Sequence, residues 1–158
     1  MRHRIPNRYH RRVTEQERIA IRPARADDAD RIAGLLTEEG YPAGPSDIAA
    51  RLGRFEGTDS AVLVADVDGA ALGFIALHRM PRFEHDDSVV RILALVVDQA
   101  ARERGVGHLL MTAAEDFGRE HGDAFVEVTA GRHRPDARHL YEALGYDATV
   151  TAYLRKRL

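Results

Sequence analysis

The sequence predicts a single domain of mixed α and β structure, on three observations. Strand and helix periodicities alternate from Arg18 onward. No Pro/Gly/Ser-rich linker or internal repeat interrupts them. At 158 residues the chain is the size of one ordinary domain, a length that buries roughly two-thirds of the surface its unfolded form exposes.

Ile19 and Ile21 mark a short first strand closed by Pro23. Asp27 is placed to cap a first helix, in which Ala29, Ile32, Leu35 and Leu36 recur at helical spacing. Tyr41-Pro42-Ala43-Gly44-Pro45 must be a loop, after which Ser46 caps a second amphipathic helix (Ile48, Ala49, Leu52, Phe55) ended by Gly57. The runs 61–65 and 72–77 around Asp68-Gly69 read as a hairpin. A charged stretch from Arg79 to Asp87 leads to an apolar strand, Val89 to Val97. The period then changes: Val106, Leu109, Leu110, Ala113 and Phe117 mark a long helix. Residues 125–128 mark another strand, and Ala137, Leu140, Tyr141 and Leu144 a last helix closed by Gly145. Residues 147–154 complete the pattern as a final strand.

Composition narrows the function. A hydrophobic fraction of 44% with 30% charged residues is that of a globular protein, and no apolar run reaches the roughly 20 residues that cross a bilayer. The chain contains no cysteine, which excludes disulfides, thiolate metal ligation and a cysteine nucleophile. No membrane partner is expected, and a cytoplasmic location is. Formal net charge is -2, unevenly spread: residues 1–18 hold six Arg and two Glu, a net +4 that leaves -6 on the remainder. With no aromatic beyond Tyr9 to stack on bases, this arm is read as a flexible leader, or residues upstream of the true start, and not as a nucleic-acid contact.

The most specific stretch runs from Leu95-Val96-Val97-Asp98 through Gln99-Ala100-Ala101-Arg102-Glu103-Arg104 to Gly105-Val106-Gly107: buried strand, polar turn, helix start. The first turn of a helix presents unpaired N–H groups and partial positive charge, which suits a phosphate. Glycines clear the approach, and Arg102 and Arg104 add charge. Neither a Walker loop nor a dinucleotide fingerprint is present. The plainer reading is a strand-to-helix connection whose glycines serve backbone geometry alone.

These residues resemble the GNAT superfamily of N-acetyltransferases. Arg102, Gly105 and Gly107 match its Arg/Gln-x-x-Gly-x-Gly/Ala motif, and Ala137 to Tyr146 is similar to its Ala-x-x-x-Tyr-x-x-x-Gly-Phe/Tyr segment. The resemblance spans residues 19–158. It implies a single-domain GNAT acyltransferase fold, a mostly antiparallel central sheet flanked by helices and splayed between the strands at 89–97 and 124–129. It also implies acetyl-CoA as cosubstrate, with pantetheine on the main chain of Leu95, Val96 and Val97 and pyrophosphate on the N–H groups of Arg102, Glu103, Arg104, Gly105, Val106 and Gly107. Glu103 departs from the small residue frequent there, and its carboxylate is tolerable beside a pyrophosphate only if it points to solvent.

The activity so implied is transfer of acetyl from acetyl-CoA to the primary amine of a small molecule, by direct attack in a ternary complex. The alternatives are a protein or peptide N-acetyltransferase and a non-catalytic acyl-CoA-binding module. A homodimer is a family expectation. By resemblance Tyr141 is the general acid toward the coenzyme sulfur; by periodicity it is also a core aromatic. Glu127, an acid within an apolar strand, is the candidate base, as in some family members; equally it is an outward carboxylate or a salt-bridge partner. Glu84, His85, Asp86 and Asp87 have a metal-like composition but read as solvated surface, so no metal is expected. The basic run Arg132-His133-Arg134 before Pro135 either supports a coenzyme phosphate or is exposed, and His78 and Arg79 are candidates for the acceptor pocket.

Overall fold

The computed structural model describes Thr14, residues 18–131 and residues 134–158. Five strands lie in sequence order in one sheet: β1 (Ala20–Pro23), β2 (Ser60–Val67), β3 (Ala70–Pro81), β4 (Ser88–Val97) and β5 (Phe125–Val128). The first four are successively antiparallel, and β5 runs parallel to β4. The α-helices that lie wholly among the described residues are α1 (Ala29–Glu38), α2 (Pro45–Gly53), α3 (Val106–His121) and α4 (Pro135–Ala143). A parallel pair needs a crossover, which α3 supplies, whereas β2 and β3 need only a two-residue turn. Asp68 and Gly69 make that turn, both at positive φ (52° and 87°) as type I′ requires. Asp66 pins it by accepting the Gly69 N–H at 2.8 Å.

Strand alternation sorts the core into two layers. Ile75, Leu77, Val90 and Ile92 face α3 and α4, where they meet Leu110, Met111, Ala114 and Tyr141. Val64, Phe74 and Val96 face α1 and α2, against Ile32, Leu35 and Ile48. β4 is covered on both faces, which is why its sequence reads as a continuous apolar run broken by Arg91. Gly73 lets β3 and β4 approach: a Cβ there would meet Val96 O at 2.6 Å.

The Arg22 guanidinium joins β1 to its neighbours. It donates to Asp28 at 2.8 and 2.9 Å and to Asp66 at 2.7 and 2.9 Å. Those bonds hold both carboxyls below their usual range.

The helices and strands follow the sequence reading up to residue 144, with small shifts at caps. Asp28 and not Asp27 precedes α1. α2 starts at Pro45, one residue before Ser46, with Asp47 accepting the Gly44 N–H at 2.9 Å, and it ends at Gly53 and not at Gly57, because the Arg54 and Phe55 N–H groups turn back to Arg51 O and Leu52 O (3.0 and 2.9 Å). The expected strand at 147–154 does not form: residues 147–158 pair with no strand and are exposed. Locally, Asp147 accepts from the Thr149 N–H (2.8 Å) and hydroxyl (2.6 Å), a turn that competes with extension. Apart from Thr14 and Arg18, the basic arm lies outside the described residues, as do Arg132 and His133.

Candidate active site

The sheet opens where β5 ends. Pairing between β4 and β5 runs from Val89↔Phe125 to Ile92↔Val128 and stops, yet β4 continues to Val97. On its other side β4 stays paired, Leu95 with Ile75, Phe74 with Val96 and Gly73 with Val97. Leu95 to Val97 therefore offer main-chain groups along an edge free toward β5. A bulge precedes this edge: Ala76 pairs with Ala94 but Leu77 with Ile92, so Leu93 is an extra residue, 56% exposed.

Asp98 ends the strand by donating its N–H to Leu72 O (2.8 Å), and its carboxylate accepts from the Ala100 N–H (2.8 Å) and pairs with Arg31. The Ala100 N–H first, then Arg31, hold this carboxyl below its usual range. Glu103 and Gly105 take positive φ, 61° and 82°, and turn the chain into α3. The first bond of that helix runs from Leu109 N–H to Gly105 O (3.0 Å), so the N–H groups of Val106, Gly107 and His108 have no acceptor within it. Glu103 is exposed. Gly107 has a second role: a Cβ there would lie 3.0 Å from Leu140 Cδ2, so the glycine seats α3 against α4.

One residue that the sequence reading did not single out ties the loop after β4 to the approach to α4. Glu39, just beyond α1, is bonded to Arg102 through one oxygen and to Arg134 Nη2 through the other at 2.7 Å, and its side chain is only 10% exposed. Arg102 belongs to the loop after β4, and Arg134 to the approach to α4 after β5. The signal was available: Glu38-Glu39 stand at the negative end of a helix, where acids are disfavoured without cations nearby.

Tyr141 is buried in the α3–α4 layer, its ring 6.1 Å from that of Tyr146. The two tyrosines differ in their hydroxyls. Tyr146 donates to Glu115 at 3.2 Å, whereas no described residue hydrogen-bonds the Tyr141 hydroxyl. Burial raises the Tyr141 pKa above the ordinary tyrosine value, so the phenol holds its proton at neutral pH. Glu127 lies on the opposite face: Val126 and Val128 pack toward α3, which turns Glu127 toward the α1–α2 side. It is 45% exposed and accepts from Arg91 Nη1 at 3.2 Å, the salt-bridge arrangement that the sequence left open.

Beside Arg91 and Glu127 on that face are His78 and Ser60, with His78 Nδ1 2.7 Å from Ser60 Oγ. Arg79 alternates to the other face, where it clamps Asp123 at 2.7 to 3.0 Å, so His78 and Arg79 do not line one surface. In the acidic run near His85, Asp87 is paired with Arg82.

The open strand edge and the glycine-bearing helix start that follows it are the arrangement the resemblance to the GNAT superfamily implies. The model of the Acetyltransferase (GNAT) family matches residues 10–146, and the chain belongs to that family. An uncharacterized N-acetyltransferase, YhfO of Bacillus subtilis (strain 168), is 33% identical over 135 residues, covering 80% of this chain and 89% of that protein. The fold is shared with a transcriptional regulator from Bacillus halodurans C-125 (TM-score 0.82, 21% identity, 89% of this chain and 99% of that one). It is shared too with the aminoglycoside N-acetyltransferase AAC(6')-Iy, solved in complex with CoA (TM-score 0.73, 22% identity, 89% and 95%). The chain is an acyltransferase, and no helix among the described residues is long and apolar enough to cross a membrane.

Proposed function

We infer that the protein acetylates the primary amine of a small molecule, using acetyl-CoA, by direct attack in a ternary complex. The observation that carries this reading is the free edge of β4 from Leu93 to Val97, followed after the turn at 98–105 by N–H groups at the start of α3 that have no acceptor within the helix. That donor set suits a coenzyme: an extended edge for the amide-bearing pantetheine, then N–H groups and Arg102 for a diphosphate. Acetyl-CoA, held by Leu95 to Val97 and by residues 102–107, supplies the activated acetyl thioester.

The side chains divide the proton work between the two faces of the sheet. Glu127, near the point where β4 and β5 part, takes the proton from the acceptor ammonium on the α1–α2 side. Tyr141, on the α3–α4 side, holds the proton destined for the departing sulfur. With no cysteine in the chain, no thiol nucleophile competes with direct attack. Ser60, His78 and Arg91 supply hydrogen-bonding groups of the kind that orient a small polar amine. Residues 19–158 form the catalytic domain in this reading, the arm before them an appendage, and the location is cytoplasmic.

Thiol release from acetyl-CoA, measured over a panel of small amines and of peptides with free N-termini or lysines, tests the assignment. Turnover with small amines is expected. Turnover confined to peptides would move the acceptor to protein, and binding without turnover on any amine would make the chain a coenzyme-binding module.

A further inference from the structure

We propose that Glu39 is an internal stand-in for the coenzyme diphosphate, a carboxylate that neutralises Arg102 and Arg134 in the free protein and must give them up when coenzyme enters. The proposal rests on the coenzyme-binding reading above. Its basis is a three-way contact that draws together the loop after β4, the approach to α4 after β5 and the end of α1. The carboxylate is 10% exposed, while the arginines are 42% and 31% exposed. Among the described residues Glu39 is the one carboxylate paired with either guanidinium.

Charge logic gives the direction. A diphosphate at residues 102–107 brings anionic oxygens to the guanidinium that Glu39 already holds, and guanidinium groups bind phosphate in the same forked manner as carboxylate. If the carboxylate stays, it lies nearly buried beside a like charge and at the negative end of α1, which opposes binding. If it leaves, two charge-assisted hydrogen bonds are broken. Either course weakens the apparent affinity for coenzyme, so Glu39 lowers affinity while it stabilises the free fold. A residue with only a structural role would move both quantities in the same direction.

Glu39 is followed by Gly40, at φ 87°, and by Tyr41. The turn is closed by Gly40 N–H to Thr37 O (3.0 Å) and Tyr41 N–H to Leu36 O (2.8 Å). Release of the side chain removes the anchor of this turn.

The test is calorimetric titration of wild type and Glu39→Gln with coenzyme A and with pantetheine, which has no diphosphate, alongside thermal unfolding of each free protein. The amide keeps the shape and loses the charge. The expected result is coenzyme A affinity about 10-fold higher in Glu39→Gln, pantetheine affinity unchanged and a lower Tm. Equal or weaker coenzyme A binding by a folded Glu39→Gln, with wild type still binding, overturns the proposal and leaves the coenzyme reading intact. No binding by either protein at millimolar coenzyme A overturns both. Should the variant not fold, wild type carries the test by hydrogen exchange: amides 39–41 are expected to exchange faster with saturating coenzyme A, and slower or equal exchange overturns the proposal.

Discussion

At the scale of single residues, Tyr141 and Tyr146 make a controlled comparison. Both are sheltered aromatics of one cluster, but Tyr146 is bonded to Glu115, whereas among the described residues none hydrogen-bonds the Tyr141 hydroxyl. Tyr141→Phe should lower kcat about 10²-fold with little change in coenzyme affinity, as stopped or continuous thiol-release assays would read. Tyr146→Phe should lose about 1 kcal/mol of stability through its single hydrogen bond and leave kcat nearly unchanged. The pH sign follows from burial. A phenol whose pKa lies above the ordinary value keeps its proton through neutral pH, so any alkaline loss of kcat that it causes falls above about pH 10. A loss centred below that, or unchanged turnover in Tyr141→Phe, would remove it as the acid. For Glu127 the decisive variant is Glu127→Gln, which should lower turnover and change the pH dependence of kcat/KM if the carboxylate takes the proton.

At the scale of elements, the contacts between strands set what can be tested by unfolding. Arg22, Asp28 and Asp66 are each less than a fifth exposed, so solvent screening discounts their bonds only modestly. Both carboxyls are depressed by Arg22. Their contribution is therefore complete above the unfolded carboxyl pKa of about 4 and is lost as pH falls below it. Arg22→Ala should cost about 2 kcal/mol at pH 7, and the difference from wild type should shrink as the acids protonate; a difference independent of pH would contradict the assignment. Gly73→Ala, which would set a Cβ 2.6 Å from a backbone oxygen of β4, should cost about 1–3 kcal/mol by forcing the two strands apart. Most elements were legible because each had a local cause: Asp68-Gly69 for the hairpin, Gly105 and Gly107 for the start of α3, Gly145 for the end of α4. The segment 147–154 was misread because alternating Val150, Ala152 and Leu154 describe a strand only if a neighbour supplies the ladder, and no periodicity states which neighbour that is. The site was legible along the chain at 95–107 and opaque across it. Arg91 beside Glu127, and Glu39 between Arg102 and Arg134, join residues 36 to 95 positions apart, and only the tertiary fold brings them together.

At the scale of the whole molecule, two helical layers press on a sheet that is paired at one end and open at the other. The core underneath is what holds the opening in shape: Leu110, fully buried against β3 and β4, should cost about 3 kcal/mol as Leu110→Ala. The central claim is that the open end receives acetyl-CoA, with the diphosphate on the loop before α3 as its main source of affinity. It is tested most directly by titrating wild type calorimetrically with acetyl-CoA and, in parallel, with S-acetylpantetheine. The account predicts saturable binding of acetyl-CoA at one site per chain and binding of S-acetylpantetheine weaker by about 100-fold or more. Equal affinity for the two, or no binding of acetyl-CoA at millimolar concentration, would contradict it.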